Sequence, residues 1–350
     1  MKLLIVTQVV DTEDPILGFF VRWLAAFAKH FERIEVIALR VGTYDLPENV
    51  RVHSLGKENA GAAEDTIIYD SIFRRVRYAV RFLRLAWQLR HDYDAVFVHM
   101  NEEYVLLAGW LWKLLGKPIY MWRNHYAGSW LTRIAVALSS TVFCTSKHSY
   151  TARFKKTKLM PVGIDTERFK PDGSIARVPR SVLFLARIAP SKRVEMLIDA
   201  LASLARDQVE FTASIVGSPL PEHETYYEAL KERARPLGAR VRFLPGVPNG
   251  ETPALYRAHA VFVNASPSGM FDKTLFEAAA CGCTVLSSSE DFAVLAGPDT
   301  YFDSSDELAE RLTAALERGA ERPLEAIVRE HSLEALAVSL ATTLKHGVPE

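Results

Sequence analysis

Strand-like and helix-like segments alternate from one end of this chain to the other, and that alternation restricts it to one broad architecture. LLIVTQV (3–9) is a short apolar run rich in β-branched residues that stops at DTED. Such a run reads as a parallel strand buried on both faces. GFFVRWLAAFAKHF (18–31) reads as a helix and IEVIAL (34–39) as the next strand. DAVFVHM (94–100), PIYMWRN (118–124) and TVFCTS (141–146) continue the strands, with a helix in VLLAGWLWKLLG (105–116). The pattern restarts at SVLFLARI (181–188), with strands at 210–217, 241–246, 260–266 and 284–288 and helices at 194–205, 226–238, 251–260 and 274–282. Strands separated by helices form parallel sheets covered on both faces.

Between the two blocks lies PVGIDTERFKPDGSIARVP (161–179), with three prolines, two glycines and few apolar residues, the composition of a linker. The reading is therefore α/β, two Rossmann-like doubly wound domains. Residues 1–168 form the first, completed by a C-terminal helix in 333–350, and residues 176–332 form the second. A chain of 350 residues suits two domains. Its 42 basic and 42 acidic residues cancel, but residues 1–170 hold 24 Lys/Arg against 17 Asp/Glu, and the remainder reverses that excess. A basic half invites an anionic partner, and ordinary charge drift between domains is the alternative. Three cysteines make no disulfide framework, so a reducing, cytoplasmic location is expected. MKLLIVTQVVDTEDP does not read as a signal peptide, and no run of apolar residues is long enough to span a bilayer.

Doubly wound sheets bind ligands outside the carboxyl ends of their strands, so the residues just after strands are the candidates. After the first strand, Gly18 permits close backbone approach at a helix N-terminus, an anion-binding position, or merely turns the chain. No G-x-G-x-x-G is present, which argues against a dinucleotide dehydrogenase. After 181–188, Arg187, Lys192 and Arg193 cluster where a helix begins. Cations there oppose the macrodipole, and a bound phosphate would reverse that sign. After 260–266, SPSGMFDKTLFEAAACGC contains Gly269, then Asp272 and Glu277 around a helix start. A carboxylate there can accept from a ribose diol, or Asp272 can be a plain N-cap and Glu277 a favourable charge. His125 and His99 end strands, a position that suits structural histidines as well as catalytic ones. Cys281-Gly-Cys283 lacks the second ligand pair of a zinc site, and no Walker A loop or Ser-His-Asp spacing is visible.

Taken in order, the glycine-containing first loop, R-x4-K, and a glycine loop ending in Glu before A-A-A-C-G resemble the retaining glycosyltransferases of family 4. The resemblance covers nearly the whole chain, most strongly in PVGIDTERFKP, LFLARIAPSKRVEMLIDAL and SPSGMFDKTLFEAAACGCTVL. It implies the GT-B fold, two Rossmann-like domains facing a central cleft that holds a nucleotide-sugar donor. It implies that Arg187 and Lys192 hold the donor diphosphate and stabilise the departing charge, with Glu277 on the ribose, Gly18 near the diphosphate and His125 on the transferred sugar. Gly217 and Val247 would frame the base, and Gly269, Met270 and Phe271 would line the donor. The sequence departs from the family where the first glutamate of E-x7-E should stand, because Gly269 is there; Asp272 is the substitute carboxylate. Phe19 after Gly18 also breaks the first-loop glycine pair.

The implied reaction is metal-independent transfer of a hexose from a nucleoside diphosphate sugar to an acceptor hydroxyl, with retention. No cofactor, metal or nucleic acid is expected. The acceptor class is a glycan or a lipid-linked molecule. A catalytically inactive nucleotide-sugar-binding or scaffold protein of the same fold is the alternative, supported by Gly269. An epimerase would carry more acid/base groups, and a phosphorylase would be a longer chain. In IFRRVRYAVRFLRLAWQ (72–88), Ile72, Phe73, Val76, Ala79, Val80, Leu83, Ala86 and Trp87 recur at helical spacing, with arginines largely off that face. This predicts either peripheral contact with the anionic inner membrane face or a helix docked on the first sheet with an arginine-rich solvent side.

Overall fold

The computed structural model describes residues 1–14, 16–59, 68–269, 271–318 and 324–346. The chain divides into two compact units, Met1–Pro161 with Glu334–Glu350, and Val162–Leu333.

In the first unit, β1 (Lys2–Val10), α1 (Phe19–Ala28), β2 (Arg33–Val41), β3 (Val50–Ser54), α2 (Ile68–Gln88), β4 (Ala95–His99), α3 (Glu102–Leu114), β5 (Ile119–Trp122), α4 (Trp130–Leu138), β6 (Thr141–Cys144) and β7 (Thr157–Leu159) follow one another. The seven strands lie in the order β3-β2-β1-β4-β5-β6-β7, all parallel. The long apolar runs become the central strands because both faces of a parallel sheet are covered. β3 and β7 were not legible as strands. They sit at the sheet edges, and VRVHS and TKL have only one fully buried residue between them.

The second unit contains β8 (Val178–Leu185), α5 (Val194–Arg206), β9 (Thr212–Val216), α6 (Glu224–Ala234), β10 (Val241–Leu244), α7 (Thr252–Ala258), β11 (His259–Asn264), α8 (Lys273–Ala280), β12 (Thr284–Ser287), α9 (Glu290–Ala296), α10 (Ser305–Arg318) and α11 (Glu325–Glu330). Its sheet runs β10-β9-β8-β11-β12, again all parallel. The last helix, α12 (Leu333–His346), returns to the first unit. There Lys158 Nζ donates to Thr343 Oγ1 at 2.7 Å.

The proline-rich stretch read as a linker is folded onto the second unit. Val162, Ile164 and Phe169 are buried with Leu183, Tyr256 and Phe276. The N–H groups of Gly163 and Ile164 both donate to the His331 carbonyl, at 2.9 and 3.0 Å. The division therefore falls at Pro161/Val162, where the sequence reading placed 168. In each sheet the strand order reverses once, between β1 and β4 and between β8 and β11. Connections leaving the two strands at such a point go to opposite faces and open a crevice at their carboxyl ends.

Candidate functional site

At the reversal point of the second sheet, the loops after β8 and β11 are joined by side chains. Lys192 ends a short turn, Pro190–Lys192, and its Nζ donates to Asp272 Oδ2 at 2.6 Å and to Ser266 Oγ at 3.0 Å. Asp272 Oδ2 also accepts from Asn264 Nδ2 at 3.0 Å and from Ser266 Oγ at 2.7 Å. Asn264 in turn holds the loop through its Oδ1, which accepts the Ser266 N–H at 2.9 Å. Asp272 occupies the N-cap position of α8, yet its side chain makes no cap hydrogen bond. The carboxylate is turned instead toward Lys192. Burial would push the Asp272 carboxyl up, but the Lys192 charge and the hydrogen bonds from Lys192, Asn264 and Ser266 hold it below the usual range.

Two consequences follow for ligand chemistry. An ammonium has three protons. Two of those on Lys192 are engaged, by Asp272 and Ser266, and one is left. Oδ2 of Asp272 is saturated, while Oδ1 has no partner among the described residues. The pair is only partly covered, at 16% and 20% side-chain exposure, so both remaining valences can be reached. Arg187, one loop residue past β8, is exposed and makes no hydrogen bond or ion pair among the described residues. Arg193 behaves differently from its basic neighbours. Its Nε donates to the Ala265 carbonyl at 2.8 Å and its Nη2 to Ser288 Oγ at 2.9 Å, so it ties the β8, β11 and β12 loops together.

Gly217 follows β9, and Val247 follows β10 in a half-buried position. A Cβ at Gly217 would lie 1.9 Å from the Ala186 carbonyl oxygen, so the loop carrying Arg187 requires glycine beside it. Gly269 is buried with φ +95°, a backbone that favours glycine over the family's glutamate. Phe271 turns inward. It packs edge-on against Phe276 at 4.9 Å and is buried in the core, leaving only its backbone for a ligand. Met270 lies outside the described residues.

Glu277 is also inside, 5% exposed. Its Oε2 accepts from the Tyr256 hydroxyl at 3.1 Å. Burial raises its carboxyl to about 7, against the opposing pull of the Lys273 charge and the Tyr256 bond. Burial likewise pushes Lys273 well below the usual lysine range. A carboxyl raised in the folded state stabilises below its unfolded value and loses that contribution as pH rises through about 7. Glu277→Gln is therefore expected to flatten the fall of Tm between about pH 4.5 and 7, the span from its ordinary value to the folded one. Thermal unfolding of both proteins across that range checks this; parallel curves would mean that Glu277 does not titrate there.

The first unit places the remaining candidates. His125 lies in an exposed loop after β5, and its Nδ1 is held against the Ala127 backbone, 3.0 Å from the N–H and 3.2 Å from the carbonyl oxygen. Arg123 Nη1 donates to the Ala127 carbonyl at 2.9 Å and Arg123 Nε pairs with Glu102 at 2.6 Å, so the loop is anchored. Gly18 caps α1 with ordinary helical angles. Its N–H donates to Asp14 O at 3.0 Å, and a Cβ would sit 2.6 Å from that oxygen. Gly18 thus closes the loop upon itself, and its own N–H is not available to an anion. His99 is buried and stacks on Phe20 at 4.0 Å, a core residue.

Two successive all-parallel α/β units of seven and five strands define the GT-B class of folds. Residues 179–318 match the family model described as Glycosyl transferases group 1. The match lies within the second unit. Among curated relatives, a D-inositol 3-phosphate glycosyltransferase of Frankia alni is 32% identical over 154 residues, covering 40% of this chain and 38% of that protein. A GDP-mannose-dependent alpha-(1-6)-phosphatidylinositol monomannoside mannosyltransferase of Mycolicibacterium smegmatis is 32% identical over 162 residues, 41% of this chain and 40% of that one. The chain thus matches about two fifths of the length of these relatives. Among solved structures, an Anabaena protein in complex with UDP and glucose superposes with a TM-score of 0.75 at 21% identity, covering 99% of this chain and all of that one. A sucrose-phosphate synthase from Thermosynechococcus elongatus gives 0.73 at 17% identity, with 98% of each chain covered.

The sequence reading missed Asn264 and Ser266, which hold the Lys192–Asp272 pair in register. The signal available was a polar Asn-Ala-Ser ending an otherwise apolar strand.

Proposed function

We propose that the chain is a retaining, family 4 glycosyltransferase that moves a hexose from a nucleoside diphosphate sugar to an acceptor hydroxyl without a resident metal. The observation that carries this reading is the Lys192–Asp272 pair, with Arg187 exposed on the same loop as Lys192 and without a hydrogen-bond or ion-pair partner among the described residues, at the carboxyl edge of the sheet where its order reverses. Arg187 and the free proton of Lys192 would meet the diphosphate. Oδ1 of Asp272 would accept from a sugar hydroxyl in place of the missing glutamate. Glu277 has one oxygen on Tyr256 and would present the other to the ribose, with Gly217 and Val247 bordering the base. His125 would hydrogen-bond the transferred sugar through Nε2, the ring nitrogen not held by Ala127.

In the reaction, the bond between the anomeric carbon and the diphosphate oxygen breaks, and its electron pair leaves with the phosphate. The acceptor oxygen bonds the anomeric carbon on the same face, and its proton passes to the departing phosphate. Arg187 and Lys192 stabilise the charge that develops there. The relatives named for inositol phosphate and mannosyl transfer support a hydroxyl acceptor.

A thermal-shift panel of UDP-, GDP-, ADP- and dTDP-sugars, with and without EDTA, tests the reading. A donor at a hundred times its Kd should add about 2.7 kcal/mol of stability. One nucleotide is expected to shift Tm, equally with EDTA, and to be consumed with transfer or slow hydrolysis. Binding without any turnover would favour an inactive nucleotide-sugar-binding protein, and an EDTA-sensitive shift would overturn metal independence.

A further inference from the structure

The structure shows which side of the arginine-rich helix packs on the sheet. On a helix of 3.6 residues per turn, Phe73, Val76, Val80 and Trp87 fall on one side, and Tyr78, Phe82 and Ala86 on the other. The second set packs into the core of the first unit, with Phe82 and Ala86 fully buried. The first set, expected to be the buried or membrane-facing stripe, is exposed, Phe73 at 74% and Val80 at 60%. Ala86, read as part of that stripe, belongs to the docked side. Ile72 has its side chain outside the described residues. The helix therefore carries two apolar rows, and only one is used by the fold.

The unused row continues across its neighbours. The α2, α3 and α4 helices cover the same face of the first sheet, sharing one core. Their outward side carries Trp110 and Leu114 on α3 and Trp130 and Ile134 on α4, all exposed. A shallow groove of about 400 Å³ between α2 and α3 is lined by Val76, Ala79, Leu106 and Leu107, with Arg75 and Glu103 at its border. Of the six tryptophans, Trp23, Trp112 and Trp122 are buried, and the three exposed ones sit one on each helix of this layer. Arg77, Arg81, Arg84, Lys113 and Arg133 are exposed on the same three helices, against a single exposed acidic side chain among the described residues, Glu103. Among the described residues, no helix is long and apolar enough to cross a membrane.

We infer that the outer surface of α2, α3 and α4 is a seating face for an anionic lipid bilayer. Indole rings prefer the boundary between headgroups and acyl chains, apolar side chains enter just below it, and arginines meet anionic headgroups. The surface offers all three in one layer, and its positive excess is what selects an anionic bilayer as the occupant. This goes beyond the proposed glycosyl transfer and does not depend on it.

Co-sedimentation of the full chain with phosphatidylcholine vesicles, with and without phosphatidylglycerol, tests the inference. Binding is expected with phosphatidylglycerol, weakened by salt and accompanied by a blue shift of tryptophan emission. Neutralising Arg77, Arg81 and Arg84 together to Gln should lower partitioning roughly a hundredfold. Phe73→Ser with Val80→Ser should abolish the blue shift while leaving the circular dichroism spectrum unchanged, since both side chains are exposed. Sedimentation that ignores phosphatidylglycerol, or variants that bind like the parent, would overturn the inference. A concentration-dependent dimer lost in the serine variant, without vesicle binding, would overturn it in favour of a second copy of the chain. The nucleotide-sugar thermal shift, measured on the same variants, is expected to persist and separates this surface from the donor site.

Discussion

Lys192→Ala is expected to lower transfer by about two to three orders of magnitude, the loss typical of removing one preorganised donor to a developing negative charge. The mutation also removes the partner that fixes Asp272. That carboxylate keeps its hydrogen bonds from Asn264 and Ser266, and about a fifth of it is exposed. The stability cost should therefore fall short of a fully buried broken pair, at roughly 1–2 kcal/mol. Asp272→Asn is the informative companion, because it keeps the shape and releases Lys192 from its ion pair. If Lys192 acts on the diphosphate, the alanine variant loses the donor-induced Tm shift and the asparagine variant retains most of it. An unchanged shift and rate in Lys192→Ala would assign the lysine to the fold alone.

Gly217→Ala is expected to destabilise the second unit by roughly 3 kcal/mol, the upper end of what forced overpacking costs. The new Cβ would meet the Ala186 carbonyl oxygen at 1.9 Å and its carbon at 3.1 Å. Both belong to backbone, and neither strand can retreat, because Leu185 pairs with Val216 immediately upstream. For a unit of this size such a loss lowers Tm by on the order of 6–12 °C. Relief of the clash would also move Arg187, the next residue along, so donor binding should weaken with stability. Gly246→Ala on the same sheet edge is the control. Its Cβ would make ordinary contact at 3.4 Å with Ser218, so the Tm should barely move. Equal Tm values for the two variants, measured by calorimetry, would show that the loop after β8 is far softer than its geometry.

The legible part of the fold was the part with a strong local pattern. β1, β4, β8 and β11 are continuous apolar runs because parallel strands are covered on both faces, and their short length and β-branched content separate them from buried helix segments. Ser129 and Thr132, whose side chains cap each other's backbone at the start of α4, were a readable helix signal that the loop-like HYAGSW obscured. Phe271 was placed on the donor by the family resemblance of its loop, yet its ring is core.

For α2, periodicity identified an amphipathic helix but left open which apolar row docks on the sheet. The row with Phe73 and Val80 is as regular as the row with Tyr78 and Phe82, and only the position of the sheet decides between them. The same division holds at the site. The sequence alone determined the alternation of strands and helices, and through the rule for parallel sheets it singled out the loops that are candidates for chemistry, including those of Lys192 and Asp272. Tertiary structure alone decided that these two residues, eighty positions apart, are hydrogen-bonded at 2.6 Å, that Arg193 became a strut, and that Glu277 is buried against Tyr256. Apolar patterning is repeated every few residues and survives in one dimension, whereas a hydrogen bond depends on strand order, which no local pattern encodes.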